Sequence, residues 1–130
     1  MGVPGSSTGD VFHAWAQLPI PRGQFDEEQK EEQRVHFPEC KPLPGAKKLL
    51  RQLNVAHNDG KKIQIALATS TRQMNYDLKT QSAETRELLA NFDDNKRILW
   101  DDPRLANARG KPASDIFLLA LRSINESLEE

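Results

Sequence analysis

Cysteine is nearly missing from this 130-residue chain: Cys40 stands alone. One thiol excludes an internal disulfide and fits a reducing, cytoplasmic setting. Excess charge is missing too. Eighteen basic and nineteen acidic residues leave a net charge of −1, so there is no basic footprint for nucleic acid or an anionic membrane surface. No apolar run approaches the roughly 20 residues that a membrane span needs. The start lacks the basic and apolar regions of a secretory signal. Met1-Gly2-Val3-Pro4-Gly5-Ser6 does match the loose N-myristoylation pattern, a match short enough to arise by chance in a flexible leader. The three histidines, His13, His36 and His57, have no zinc-ligand spacing. His13 is expected on a helix surface.

What remains is an ordinary polar-leaning balance, 37% hydrophobic and 28% charged, which fits one domain with a real core. Residues 1–9 read as loose. Val11, Ala14, Trp15 and Leu18 recur at helical spacing, with Ser7, Thr8 or Asp10 available as caps. Trp15 and Phe12 are expected to pack within that helical region. Pro19 and Pro21 end it. A polar helix runs from Phe25 to Val35, and its Asp26-Glu27-Glu28 start suits a helix dipole. The run Glu27 to Glu32 reads as a solvated face. Prolines 38, 42 and 44 with Gly45 mark a boundary near residue 40, dividing residues 1–40 from 41–130.

Pro44 suits the first turn of a helix striped by Leu49, Leu50 and Leu53, which His57-Asn58-Asp59-Gly60 ends. Ile63 to Ala68 is apolar on both faces and predicts a buried, parallel strand. Helices follow over residues 72–80 and 84–90, then a second strand over Arg97–Trp100. A loop leads to a final helix with Ile116, Leu119, Ala120, Ser123 and Ile124 on its apolar face, widened by Phe117, Leu118 and Leu121. Strands alternating with helices imply a parallel α/β layer.

Two features carry chemistry. The first strand ends in Thr69-Ser70-Thr71, and the loop after the second contains Arg109-Gly110-Lys111-Pro112. A hydroxyl donor at one strand end and a cation after the next suit a phosphate. Leu43-Pro44-Gly45-Ala46, Ala66-Leu67-Ala68-Thr69-Ser70-Thr71, Asp101-Asp102-Pro103, Gly110-Lys111-Pro112 and Asp115-Ile116-Phe117 together resemble the haloacid dehalogenase (HAD) superfamily. Within it the chain looks most like the pseudouridine-5′-phosphatase group and its fungal sugar- and polyol-phosphatase relatives.

The resemblance implies part of a HAD-like Rossmannoid core, two parallel strands with flanking helices, preceded by the second half of a helical cap. It implies a Mg²⁺-dependent phosphatase in which Thr69 and the Ser70 amide hold phosphoryl oxygens and Lys111 neutralises charge. Arg72, next to the threonine loop, is a candidate substrate contact. The family's nucleophile motif, Asp-x-Asp-Gly-Thr, has no match here, and its acidic metal motif is expected beyond the last helix. Trp100 replaces a family glycine. The resemblance therefore implies a catalytically incomplete chain that binds no Mg²⁺ itself.

Several readings stay open. Asp101-Asp102 is either a metal pair out of family order or a loop pair that caps backbone or faces water. The chain is either an incomplete phosphatase, a non-catalytic phosphate- or partner-binding module, or a small enzyme using Asp101 or Asp102. Without the family's first strand, the run Ile63–Ala68 becomes an open edge prone to self-association or to pairing with a partner.

Overall fold

The computed structural model describes residues 5–129. Met1–Pro4 lie outside the described residues, and the Gly2 acylation pattern lies there with them. Helix α1 (Gly5–Ala16) begins earlier than the loose leader predicted. Ser7, Thr8 and Asp10 are therefore inside the helix rather than capping it. Helix α2 (Arg22–His36) also starts early, directly after Pro21, whose φ of −57° already suits a helix entry. Asp26, Glu27 and Glu28 consequently fall beyond the first turn, and the dipole role predicted for them lapses.

Arg22 donates from Nε to Asp10 Oδ1 on α1 (2.9 Å) and also pairs with Asp26, closing the α1–α2 hairpin. His13 is not a surface residue: it is half-buried, its Nε2 lies 2.8 Å from the Ile20 carbonyl oxygen, and its ring meets Phe25 edge-on. Phe12 packs near both Phe25 and Trp15, ring centroids 6.0 Å from each, although Trp15 remains 78% exposed. The acidic face is solvated, with Glu27–Lys30 and Glu31–Arg34 pairs at its surface.

A short 3-10 turn (Phe37–Glu39) ends the hairpin. Pro44 then occupies a reverse turn rather than a helix. The Ala46 amide donates to the Leu43 carbonyl (3.1 Å), and Gly45 has φ +85°, which places Pro44 and Gly45 at the centre of a type II turn. Helix α3 (Ala46–Val55) follows. Beyond it lies a hairpin that periodicity did not reveal: β1 (His57–Asn58) pairs antiparallel with β2 (Lys61–Lys62). Asp59 (φ +50°) and Gly60 (φ +76°) form its two-residue turn, and Asp-Gly suits that left-handed geometry.

The parallel pair is present. β3 (Leu67–Ala68) pairs with β4 (Arg97–Ile98), Leu67 opposite Arg97 and Ala68 opposite Ile98. The connection runs through α4 (Gln73–Lys79) and α5 (Ala83–Leu89). Ser82 caps α5 by accepting from the Thr85 amide at 3.1 Å. Short 3-10 turns at Asp94–Lys96 and Pro103–Leu105 lead to α6 (Asp115–Glu129). The fold is α/β, one parallel strand pair with helices in the connection and after it.

The main core cluster joins β4 to α6, and Phe92 and Leu99 are buried as well. Ile98, Leu105, Ile116, Leu119 and Ala120 are buried together, with Ala66, Ala68, Trp100 and Ala108 packed against them. Phe117, Leu118 and Leu121 do not widen the buried face; each is about half exposed. The predicted buried strand is also shorter and wetter than expected. Among the described residues only Leu67 and Ala68 of that run pair with β4, and Ile63 to Ala68 are all half-buried. A run apolar on both faces is buried only when both faces are covered. One deep polar group is satisfied: the Lys96 ammonium, nearly buried, donates to Gln64 Oε1 (3.0 Å) and Asp93 Oδ2 (2.8 Å).

Candidate functional site

Main-chain hydrogen bonds continue past the ends of the two strands. The Thr69 amide donates to the Ile98 carbonyl (3.0 Å), and the Trp100 amide donates back to the Thr71 carbonyl (3.1 Å). Asp101 then accepts from the Gln73 amide through both carboxylate oxygens, each at 3.0 Å. Gln73 opens α4, so Asp101 satisfies one of the amides that a helix start leaves without an internal partner. The Thr69–Arg72 loop is thereby locked to the loop after β4. Thr69 Oγ1 accepts from the Thr71 amide (3.2 Å). Accepting uses an oxygen lone pair, so the hydroxyl proton can still be donated to an oxyanion.

Lys111 arrives from the other side. The Ala113 amide bonds to the Gly110 carbonyl (3.1 Å), making a tight turn around the lysine. Asp115, the first residue of α6, accepts from the Arg109 amide (2.9 Å) and from Arg109 Nη2 (3.0 Å). The amide bond comes first and the guanidinium second in holding the Asp115 carboxyl below its ordinary range. This clamp joins the loop to the helix start. From it the Lys111 ammonium reaches across 43 residues of sequence to donate to the Ala68 carbonyl at 2.9 Å. It also lies 5.0 Å from the Phe117 ring centroid. Thr69 and Lys111 are therefore neighbours, as a shared phosphate would require.

Ser70 and Arg72 lead away from this pair into a cleft of about 390 Å³ between α2 and α4. Lys30 and Gln33 from α2 line one side, and Asn75 and Trp100 line the other. The cleft walls are tied together. Asn75 Nδ2 donates to Gln33 Oε1 (3.2 Å), and the Lys79 ammonium sits 4.3 Å from the Phe37 ring centroid. A larger groove of about 460 Å³ lies between the Pro103–Ala108 segment and α6. None of Thr69, Ser70, Arg72 or Lys111 lines it, whereas Ser70 and Arg72 line the first cleft, which Thr69 and Lys111 themselves do not.

Asp102 is committed elsewhere. It accepts from the Arg104 amide (2.9 Å), Nε (3.0 Å) and Nη2 (2.8 Å). The Arg104 side-chain hydrogen bonds hold its carboxyl below the usual range, against an opposing effect of burial, and the carboxylate in turn raises the Arg104 guanidinium. Arg104 Nη1 extends to the buried Ser123 hydroxyl oxygen (3.4 Å). Asp101 and Asp102 thus cap backbone, as one of the two sequence readings expected. Both carboxylates are engaged by protein donors, Asp101 by the Gln73 amide and Asp102 by Arg104. Among the described residues no group of three His, Cys, Asp or Glu side chains could hold a metal ion, and no helix is long and apolar enough to cross a membrane.

Sequence reasoning did not assign the Arg109–Asp115 clamp, the Gln33–Asn75 tie or the ring beneath Lys111. Asp115 and Phe117 stood in a quoted motif, but their partners become visible only in three dimensions.

No family model matches the chain. Curated relatives do. An uncharacterized protein of Schizosaccharomyces pombe is 38% identical over 130 residues, 100% of this chain and 49% of the relative. A Saccharomyces cerevisiae protein named probable pseudouridine-5′-phosphatase is 37% identical over 125 residues, 96% of this chain and 49% of its own length. An Arabidopsis thaliana (DL)-glycerol-3-phosphatase is 40% identical over 90 residues, 69% of this chain and 33% of that enzyme. The chain spans about half the length of the first two relatives. Over the half that it matches, it is similar to proteins named pseudouridine-5′-phosphatase and glycerol-3-phosphatase, as a partial HAD-type chain would be.

Proposed function

We propose that this chain supplies the phosphoryl-anchoring part of a phosphomonoester hydrolase acting on a sugar, polyol or nucleotide phosphate, and that these 130 residues alone do not turn over. The observation that carries the reading is the Lys111 ammonium, 2.9 Å from the Ala68 carbonyl and next to Thr69. An incoming phosphoryl group there meets one cation, one hydroxyl donor and the Ser70 amide. The names of the relatives support the ester class. The cleft lined by Lys30, Gln33, Arg72, Asn75 and Trp100 offers polar groups to the alcohol portion of the substrate.

Turnover needs an attacking group and charge compensation beyond this anchor. No Asp-x-Asp-Gly-Thr occurs among the 130 residues, and Asp101 and Asp102 are engaged by Gln73 and Arg104. Loss of even one preorganised donor typically costs about 10²–10³ in rate. The test uses the recombinant 130-residue chain with Mg²⁺ and a panel of phosphomonoesters that includes glycerol 3-phosphate and a nucleoside 5′-monophosphate. Inorganic phosphate binding that is lost in Lys111→Ala, with hydrolysis at background, is the expected result. Robust hydrolysis by the pure chain would overturn the incomplete-enzyme reading.

A second reading, a partner-binding module, draws on the edge at residues 63–68. These residues are half-buried, although their side chains are mostly apolar. Such an edge can take up a strand from another polypeptide or from a second copy.

A further inference from the structure

We propose that Phe117 is a positioning residue for Lys111, holding the ammonium at the strand end through its ring face. The function of this contact rests on the phosphate reading above; the contact itself does not. Phe117 lies in the first turn of α6, yet it is 51% exposed while its neighbour Ile116 is fully buried. Core packing therefore does not account for a large aromatic at this position. A charged neighbour does: the Lys111 ammonium sits over the ring, 5.0 Å from its centroid, inside the roughly 6 Å range over which a ring quadrupole attracts a cation.

Lysine has a flexible stem of four carbons and a strongly hydrated head, so one hydrogen bond fixes it poorly. Here three restraints converge. The Arg109–Asp115 clamp fixes the base of the loop, the Ala68 carbonyl takes one N–H, and the Phe117 ring faces the ammonium. Asp115 and Phe117 share a helical turn, so the clamp and the ring move as one body with α6. The ring makes the cation's position a property of the helix rather than of a mobile side chain. A phosphate arriving at Thr69 then meets a preplaced charge, and less side-chain freedom is lost on binding.

The test compares the full chain with Phe117→Leu and Phe117→Tyr. Carbon-resolved proton NMR reads the upfield ring-current shift of the Lys111 Cε protons, identified by their loss in Lys111→Ala. Titration with inorganic phosphate, followed by phosphorus NMR, reads the anchor. The leucine variant is expected to lose the ring-current shift and to bind phosphate about two- to five-fold more weakly. Tyrosine restores both, and the thermal midpoint stays the same in all three because the side chain lies half in water. Phosphate binding indifferent to Phe117→Leu overturns the positioning role alone. A wild-type chain with the ring-current shift but no phosphate binding overturns the anchor reading, and the positioning role with it. Absence of a ring-current shift in the wild type overturns the contact.

Discussion

Replacing Asp102 by alanine removes three hydrogen bonds at once: those from the Arg104 amide, Nε and Nη2. The amide bond caps the short turn Pro103–Leu105, and losing such a cap costs about 1 kcal/mol. The ion pair joins a carboxylate with 13% of its side chain exposed to a guanidinium with 48% exposed. That places it between a surface pair, worth up to about 1 kcal/mol, and a buried pair, which costs several when broken. A loss of about 1 kcal/mol for the pair brings the total to about 2 kcal/mol. For a chain of this size the thermal midpoint should fall by about 8 °C.

Asp102→Asn keeps an oxygen for the cap and removes only the charge, so it should lose about half as much. Urea unfolding at pH 7, followed by far-ultraviolet circular dichroism, measures both variants. The same titrations with Mg²⁺ separate capping from metal binding, because a ligand that binds the native state raises its stability by mass action. Capping predicts no Mg²⁺ effect in any of the three proteins. An Asp102→Ala chain as stable as wild type would refute the capping account. So would a Mg²⁺ stabilisation of the wild type that disappears in Asp102→Asn.

Acid should weaken the fold through the same groups. The Asp102 carboxyl is lowered by Arg104, and Asp115 by the Arg109 amide and guanidinium. A depressed native pKa means that the unfolded chain takes up protons first on acidification. The stabilisation is therefore complete above the unfolded carboxylate value of about 3.9 and is lost as pH falls through the native one. The urea midpoint should hold between pH 7 and 5 and decline below about pH 4, less steeply in Asp102→Asn; a decline of equal slope in that variant would contradict the assignment. The isolated chain should also self-associate. Trp15 (78% exposed), Val11 (69%) and Leu128 (63%) lie open. Sedimentation velocity over a concentration series measures this, and a strict monomer with a cooperative, high-temperature melt would contradict it.

The helices were legible wherever apolar spacing or proline punctuation marked them, as in α2, α3 and α6. Helix starts were less legible. Arg22 opens α2 although no side chain caps it, because the chain before it is set by Pro21 and the hairpin is closed by Arg22 with Asp10 and Asp26. The hairpin at His57–Lys62 was missed because Asp59-Gly60 was read as a helix stop, when the same dipeptide also suits a two-residue turn. Ile63–Ala68 misled in the opposite direction. Composition reports what a segment would bury given neighbours, and here only Leu67 and Ala68 have a parallel one.

For the candidate site, residue types pointed to Thr69 and Lys111, and the structure brings the Lys111 ammonium to the Ala68 carbonyl, one residue before Thr69. The supporting contacts were not legible. Arg109 with Asp115, Lys111 with Phe117 and Gln33 with Asn75 depend on side-chain directions that sequence spacing does not specify.

The junction between the loops after β3 and β4 is built mostly from peptide groups: Thr69 to Ile98, Trp100 to Thr71 and Gln73 to Asp101. Among these three contacts Asp101 supplies the side chain. Substitutions at Thr71 or Arg72 can therefore alter the cleft lining without removing these peptide-group contacts. Chemistry and architecture are written in different atoms there, which lets one diversify without dismantling the other.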